Sequence, residues 1–127
     1  MKRREAREKA VQILFQFNFD EALTVEVAVN NVISEPDEYL MGIVKGTLAK
    51  EAELDEKIKE HLVKWRIERI NKLDLVILSI ATYELMFDKE TPKSVVINEA
   101  VDLSRLFGDD QSRKFVNGVI SNIAETI

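Results

Sequence analysis

The chain has 127 residues, 46% of them apolar, with a net charge of −5 and no cysteine. That length and apolar content suit one domain with a real core, and the lack of cysteine excludes disulfides and thiolate metal sites and fits a reducing compartment. An acidic balance, with a pI of about 5.0, excludes a general nucleic-acid coat, so any contact with RNA has to be local.

Met1 leads straight into a charged amphipathic pattern with no apolar signal-peptide segment. No apolar run approaches the ~20 residues that a spanning helix needs. The sequence therefore reads as a cytoplasmic protein with no membrane partner. Glycine (4) and proline (2) are scarce, and apolar residues recur at three- and four-residue steps. The chain reads as all-α, with about six to seven helices.

The first helix is predicted over residues 3–19, with Ala6, Ala10, Ile13, Leu14 and Phe17 as its buried stripe. Arg3 and Arg7 fall one turn apart on another face. A second helix follows Thr24 as N-cap and carries Val25, Ala28, Val29, Val32 and Ile33. Pro36 suits the first turn of a third helix, which the pattern continues through Leu40, Ile43, Val44, Leu54 and Ile58 to Leu62. A turn around Trp65, read as a core aromatic, leads to a fourth segment over residues 68–87. Its dense apolar centre (Leu73, Leu75, Val76, Ile77, Leu78, Ile80, Ala81) marks it as the buried helix.

The stretch Thr91-Pro92-Lys93-Ser94 breaks the pattern. A fifth helix is predicted over residues 95–107, with Ile97, Ala100, Val101 and Leu103 inward and Gly108 as its stop. Asp109 or Asp110 then caps a last helix over residues 112–127. Gly42 and Gly46, at GxxxG spacing, and Gly118, inside a helical pattern that it weakens by ~1 kcal/mol, predict close helix–helix approach.

Lys2, Arg3, Arg4, Arg7 and Lys9 face only Glu5 and Glu8 in the first ten residues, a local charge of +3 against −8 for the remaining 117. Cations at a helix N-terminus oppose the helix dipole by ~0.3–1 kcal/mol. An RNA phosphate backbone is the leading reason to keep them there, and a solvated, frayed terminus fits the same pattern equally well. Phe115 follows Arg113 and Lys114, a pairing of ring and cation that suits unstacked bases; a core role is the commoner fate of such a ring. His61 is the one histidine and reads as an exposed helix residue. It leaves no partner for a metal site or a catalytic triad. With no Gly-rich phosphate loop either, the pattern points away from an enzyme and implies no cofactor.

Three blocks, taken in order, resemble the NusB family of bacterial transcription antitermination factors over essentially the full length. They are Arg3-Arg4-Glu5-Ala6-Arg7-Glu8-Lys9-Ala10-Val11-Gln12-Ile13-Leu14-Phe15, then the Trp65 turn with Ile80-Ala81-Thr82-Tyr83-Glu84-Leu85, then the last third. That third reads Ile97-Asn98-Glu99-Ala100-Val101-Asp102-Leu103, Phe107-Gly108 and Ser112-Arg113-Lys114-Phe115-Val116-Asn117-Gly118-Val119-Ile120. The resemblance implies an all-α fold of two small helical bundles, with residues 1–127 as one RNA-binding domain. It implies a non-catalytic adaptor for the boxA element of ribosomal RNA leader transcripts. The implied partners are NusE, a small-subunit ribosomal protein, and a transcription elongation complex with other Nus factors.

Carried over residue by residue, the RNA-facing positions are Lys2, Arg3, Arg4 and Arg7 on the first helix. On the last helix they are Gln111, Lys114, Phe115 and Asn117. Relatives often carry an acidic residue or Asn where Gln111 stands, and arginines where this chain has Leu75 and Ser79. Those arginines, if they tie the bundles together, are replaced here by some other tie. Two rival uses remain. One is a homodimer in which the first helix pairs with a second copy and hides its arginines. The other is kinship with the N-terminal domain of ribosomal-RNA cytosine methyltransferases, whose reactive cysteines and Gly-rich cofactor loop this sequence lacks.

Overall fold

Each amphipathic segment buries its apolar stripe by packing on its neighbours, and the computed structural model shows how, for residues 1–62 and 66–127. The elements are α1 (Arg3–Phe15), α2 (Val25–Asn30), α3 (Glu38–Ala49), α4 (Glu51–Lys59), α5 (Lys72–Phe87), α6 (Lys93–Phe107) and α7 (Asp110–Glu125). Short 3-10 turns at Gln16–Asn18 and Ile67–Arg69 complete the described residues, among which there is no strand. No described helix is long and apolar enough to cross a membrane. The turn centred on Trp65, and its core assignment, lie outside the described residues.

Two bundles result. In the first, α1 packs on α2 and α3; in the second, α4 to α7 pack together, α6 lying along α7. The central element is α5, which touches α1, α3, α4, α6 and α7. Its apolar character on most sides explains that place: Ile77, Leu78, Ile80, Ala81 and Leu85 are all buried. One contiguous core runs from Ala6 and Ile13 through these residues to Ile120 and Ile123.

Capping chemistry sets the boundaries, and it moves several of the predicted ones. The first helix ends at Phe15 rather than residue 19, and tightens into the 3-10 turn. There the Gln16 amide donates to the Ala28 carbonyl at 2.8 Å and accepts from Asn31 at 2.8 Å, tying this end to α2. Thr24 caps α2 as predicted, accepting from the Val27 N–H at 3.2 Å. Pro36 lies before α3 rather than in its first turn, because the Asp37 carboxylate takes the N-cap and accepts from Leu40 N–H at 2.8 Å. The long third helix divides in two at Lys50 (φ −104°, ψ 12°). The bend lets Leu54 and Ile58 reach the core as α4 packs on α5. Asn71, unnoticed in the sequence, caps α5 through Leu73 N–H at 2.8 Å. Asp109, not Asp110, caps α7 through Ser112 N–H at 2.9 Å. His61 is half-buried in the turn after α4 rather than exposed on a helix, and its Nδ1 donates to the Lys57 carbonyl at 2.9 Å.

The glycines divide by surroundings. A Cβ at Gly46 would meet the Tyr83 ring, so this is a true close approach of α3 to α5. Gly42 and Gly118 are exposed with nothing within 4 Å of such a Cβ, so neither is a packing glycine. Gly42→Ala is expected to raise stability by about 0.5–1 kcal/mol through helix propensity. Gly46→Ala, on the same helix, should lower it by about 1–3 kcal/mol through overpacking. Urea-unfolding midpoints separate the two; shifts of equal sign and size would mean that Tyr83 does not constrain α3.

Candidate nucleic-acid interface

The first turns of α1 present Lys2, Arg3 and Arg4 to solvent. The Arg3 guanidinium lies 4.5 Å from the centre of the Tyr39 ring, within cation–π range. Its Nη1 also donates to Thr91 Oγ1 at 3.3 Å. Arg4 leans on α6: Nε donates to Glu99 Oε2 at 3.1 Å and Nη2 to Asp102 Oδ2 at 2.7 Å. Glu99 foremost, then Asp102, holds this guanidinium above its ordinary pKa. The Arg4 side chain is still 59% exposed. Among the described residues Lys2 forms no ion pair.

Arg7 departs from the expectation. It is 2% exposed and faces inward, not onto the surface beside Arg3. Its Nε donates to both Glu84 oxygens, at 3.1 and 2.9 Å, and Nη2 donates to Oε1 at 2.8 Å. The Tyr39 hydroxyl donates to the same Oε1 at 2.5 Å. Burial pulls the Arg7 pKa down, and the hydrogen bond and charge of Glu84 more than offset it. Burial first, and the bond to Glu84 second, push the Tyr39 hydroxyl well above its usual range. A guanidinium enclosed in this way has no surface to offer a phosphate, so Arg7 is a structural residue.

On α7, Gln111, Lys114 and Asn117 are all exposed and share the helix's solvent face. Phe115 is half-buried at the edge of that face and packs partly against the core. Asn117 Oδ1 accepts from Ser121 Oγ, at 3.3 Å, one turn on. The start of α7 is anchored to α5 by Ser112 Oγ, which donates to Asp74 Oδ2 at 3.2 Å. Helix α6 is the wall common to both groups: it anchors Arg4 and packs along α7. The arrangement offers cationic donors for phosphates and, on α7, polar groups beside a ring edge for bases.

Glu84, Glu99 and Asp102 entered the sequence reading only as members of the resemblance blocks, and neither they nor Tyr39 were given a role there. Glu84 carried a usable signal: a carboxylate in the most apolar helix has to find a cation. Leu75 and Ser79 line a cleft of about 410 Å³ with Leu14, Phe17, Thr47 and Asp55. The tie between bundles comes instead from Arg7 of α1 and Glu84 of α5.

The NusB family profile matches residues 4–125. The chain is 43% identical, over a 130-residue alignment spanning all of both, to transcription antitermination protein NusB of Bacillus cereus (strain B4264). To the Listeria innocua serovar 6a protein of that name it is 42% identical over 125 residues, covering 98% of this chain and 97% of the relative. NusB of T. maritima superposes with a TM-score of 0.89 at 31% identity, over 98% of this chain and 92% of its own. A crystal structure of antitermination factors NusB and NusE in complex with dsRNA gives a TM-score of 0.87 at 26% identity, over 98% and 97%.

Arg7→Met leaves Glu84 buried with only the Tyr39 hydroxyl to answer it, and is expected to cost about 3–5 kcal/mol of stability. Adding Glu84→Gln removes the stranded charge and should recover most of that loss. Denaturant titration of the single and double variants checks this. A single variant within ~0.5 kcal/mol of wild type would mean that the pair does not hold the bundles.

Proposed function

The chain belongs to the NusB family, and we propose that it is a transcription antitermination factor acting as a non-catalytic adaptor in the cytoplasm. In this reading it binds the boxA element of ribosomal RNA leader transcripts together with NusE and supports processive transcription by an elongation complex carrying the other Nus factors. The observation that carries the reading is local. Three exposed cations, Lys2, Arg3 and Arg4, head a helix of an otherwise acidic chain that aligns over its full length with a member of this family.

The division of labour follows from chemistry. Lys2, Arg3 and Arg4 take phosphates, which set position. Gln111, Lys114, Phe115 and Asn117 take the bases, where hydrogen bonds and stacking supply sequence choice. The acidic remainder repels unrelated RNA and suits a basic ribosomal protein. Contacts this few give modest affinity alone. NusE, sharing the RNA, raises it by a coupling that has to be reciprocal.

Salt titration of boxA RNA binding tests the reading. Each phosphate contact adds about −0.7 to the log–log slope on single strands. Changing Lys2, Arg3 and Arg4 together to Ala is expected to flatten the slope by about 2 and weaken binding at least tenfold near 100 mM salt. Phe115→Leu keeps apolar packing and should lose affinity with no change of slope, because stacking carries no counterions. Unchanged affinity and slope in the triple variant would refute the assigned face.

A further inference from the structure

One of the two N–H edges with which Arg4 can grip a phosphate, the Nε–Nη2 edge, is already occupied. A guanidinium fork meets carboxylate and phosphate oxygens through the same N–H edges. Here Nε is taken by Glu99 and Nη2 by Asp102, both from α6. On the reading that these cations meet RNA, we infer that Glu99 and Asp102 act as internal phosphate surrogates. They set the affinity threshold for RNA by holding Arg4 until a transcript displaces them.

The surroundings allow such an exchange. Glu99 is only 16% exposed, and its other oxygen lies 3.9 Å from Arg7 Nη1. Arg7 is itself fixed by Glu84. Glu99 therefore stays in place and keeps a cation when Arg4 leaves. Asp102 is 40% exposed, and its second oxygen lies 3.8 Å from Arg105 on the next turn of α6. It too has a cation to fall back on. Arg4, the most exposed member of its two ion pairs, is the mobile one. Neither carboxylate is stranded by the exchange, so the clamp resists RNA by an exposed ion pair's modest strength rather than by the penalty of an uncompensated buried charge.

The test reads RNA affinity through a double-mutant cycle. Glu99→Gln with Asp102→Asn should tighten boxA RNA binding about threefold to tenfold at ~100 mM salt. In an Arg4→Ala background the same pair should give no more than the gain from a matched charge change elsewhere. Glu56→Gln with Glu60→Gln, two exposed members of i,i+3 pairs on or just after α4, supplies that match. Asp102→Asn alone, which leaves the Glu99–Arg7 contact intact, should show part of the gain and covers the case in which the double variant folds poorly. A gain that persists without Arg4 would overturn the inference and leave only general repulsion; so would an unchanged or weakened affinity. The failure of the underlying reading looks different: wild-type binding would then be indifferent to Lys2, Arg3 and Arg4 altogether.

Discussion

The ion pair between Arg7 and Glu84 is the constraint on which the rest of this structure depends. Both residues are 2% exposed, on helices from different bundles, with three charge-assisted hydrogen bonds between them. Such a pair adds little net stability over a well-packed apolar contact. Its effect is to make one arrangement much better than its neighbours. If α1 slid or rotated against α5, a buried carboxylate and a buried guanidinium would both lose their partners. Tyr39 brings α3 into the same network, because its hydroxyl donates to Glu84. The rim continues outward: Arg7 lies near Glu99, and Glu99 holds Arg4. The position of the exposed cations is thus inherited from a buried one.

That inheritance explains how an acidic chain can present a basic tip. Cations crowded at a helix N-terminus are unfavourable in isolation. Here α6 supplies Glu99 and Asp102 to Arg4, and the Tyr39 ring supplies a negative π-face to Arg3. Intramolecular partners offset the dipole penalty without burying the groups. Arg3 and Arg4 thereby hold defined positions in the folded chain.

The second bundle shows a different economy. The central helix carries Leu75 and Ser79 on the side facing the junction, and the space beside them is a cleft rather than a second charged tie. Burial, then the neighbouring Glu51, raises the pKa of Asp55 at its edge. Among the described residues the ion pairs that join the bundles form one network near α1, and apolar packing with the cation–π contacts of Lys72 on Phe19 and Lys50 on Phe87 joins them elsewhere.

Much of this protein was legible in its sequence. Periodicity gave the helices, their order and most buried residues, because a 3.6-residue repeat leaves few ways to hide an apolar stripe. Caps with a side-chain oxygen, such as Thr24 and Asp109, were readable for the same local reason. The break at Lys50 was not, since nothing in Ala49-Lys50-Glu51 disfavours a helix and the bend serves packing of distant residues. The largest gap concerned charge. Arg3, Arg4 and Arg7 look alike in sequence, yet one stacks on a ring, one is clamped at the surface and one is buried. Their partners lie 36 to 98 positions away along the chain. Local pattern determined that the first helix would be amphipathic and basic. Only the tertiary structure decided which guanidinium meets water, because a charge's environment is set by what folds against it.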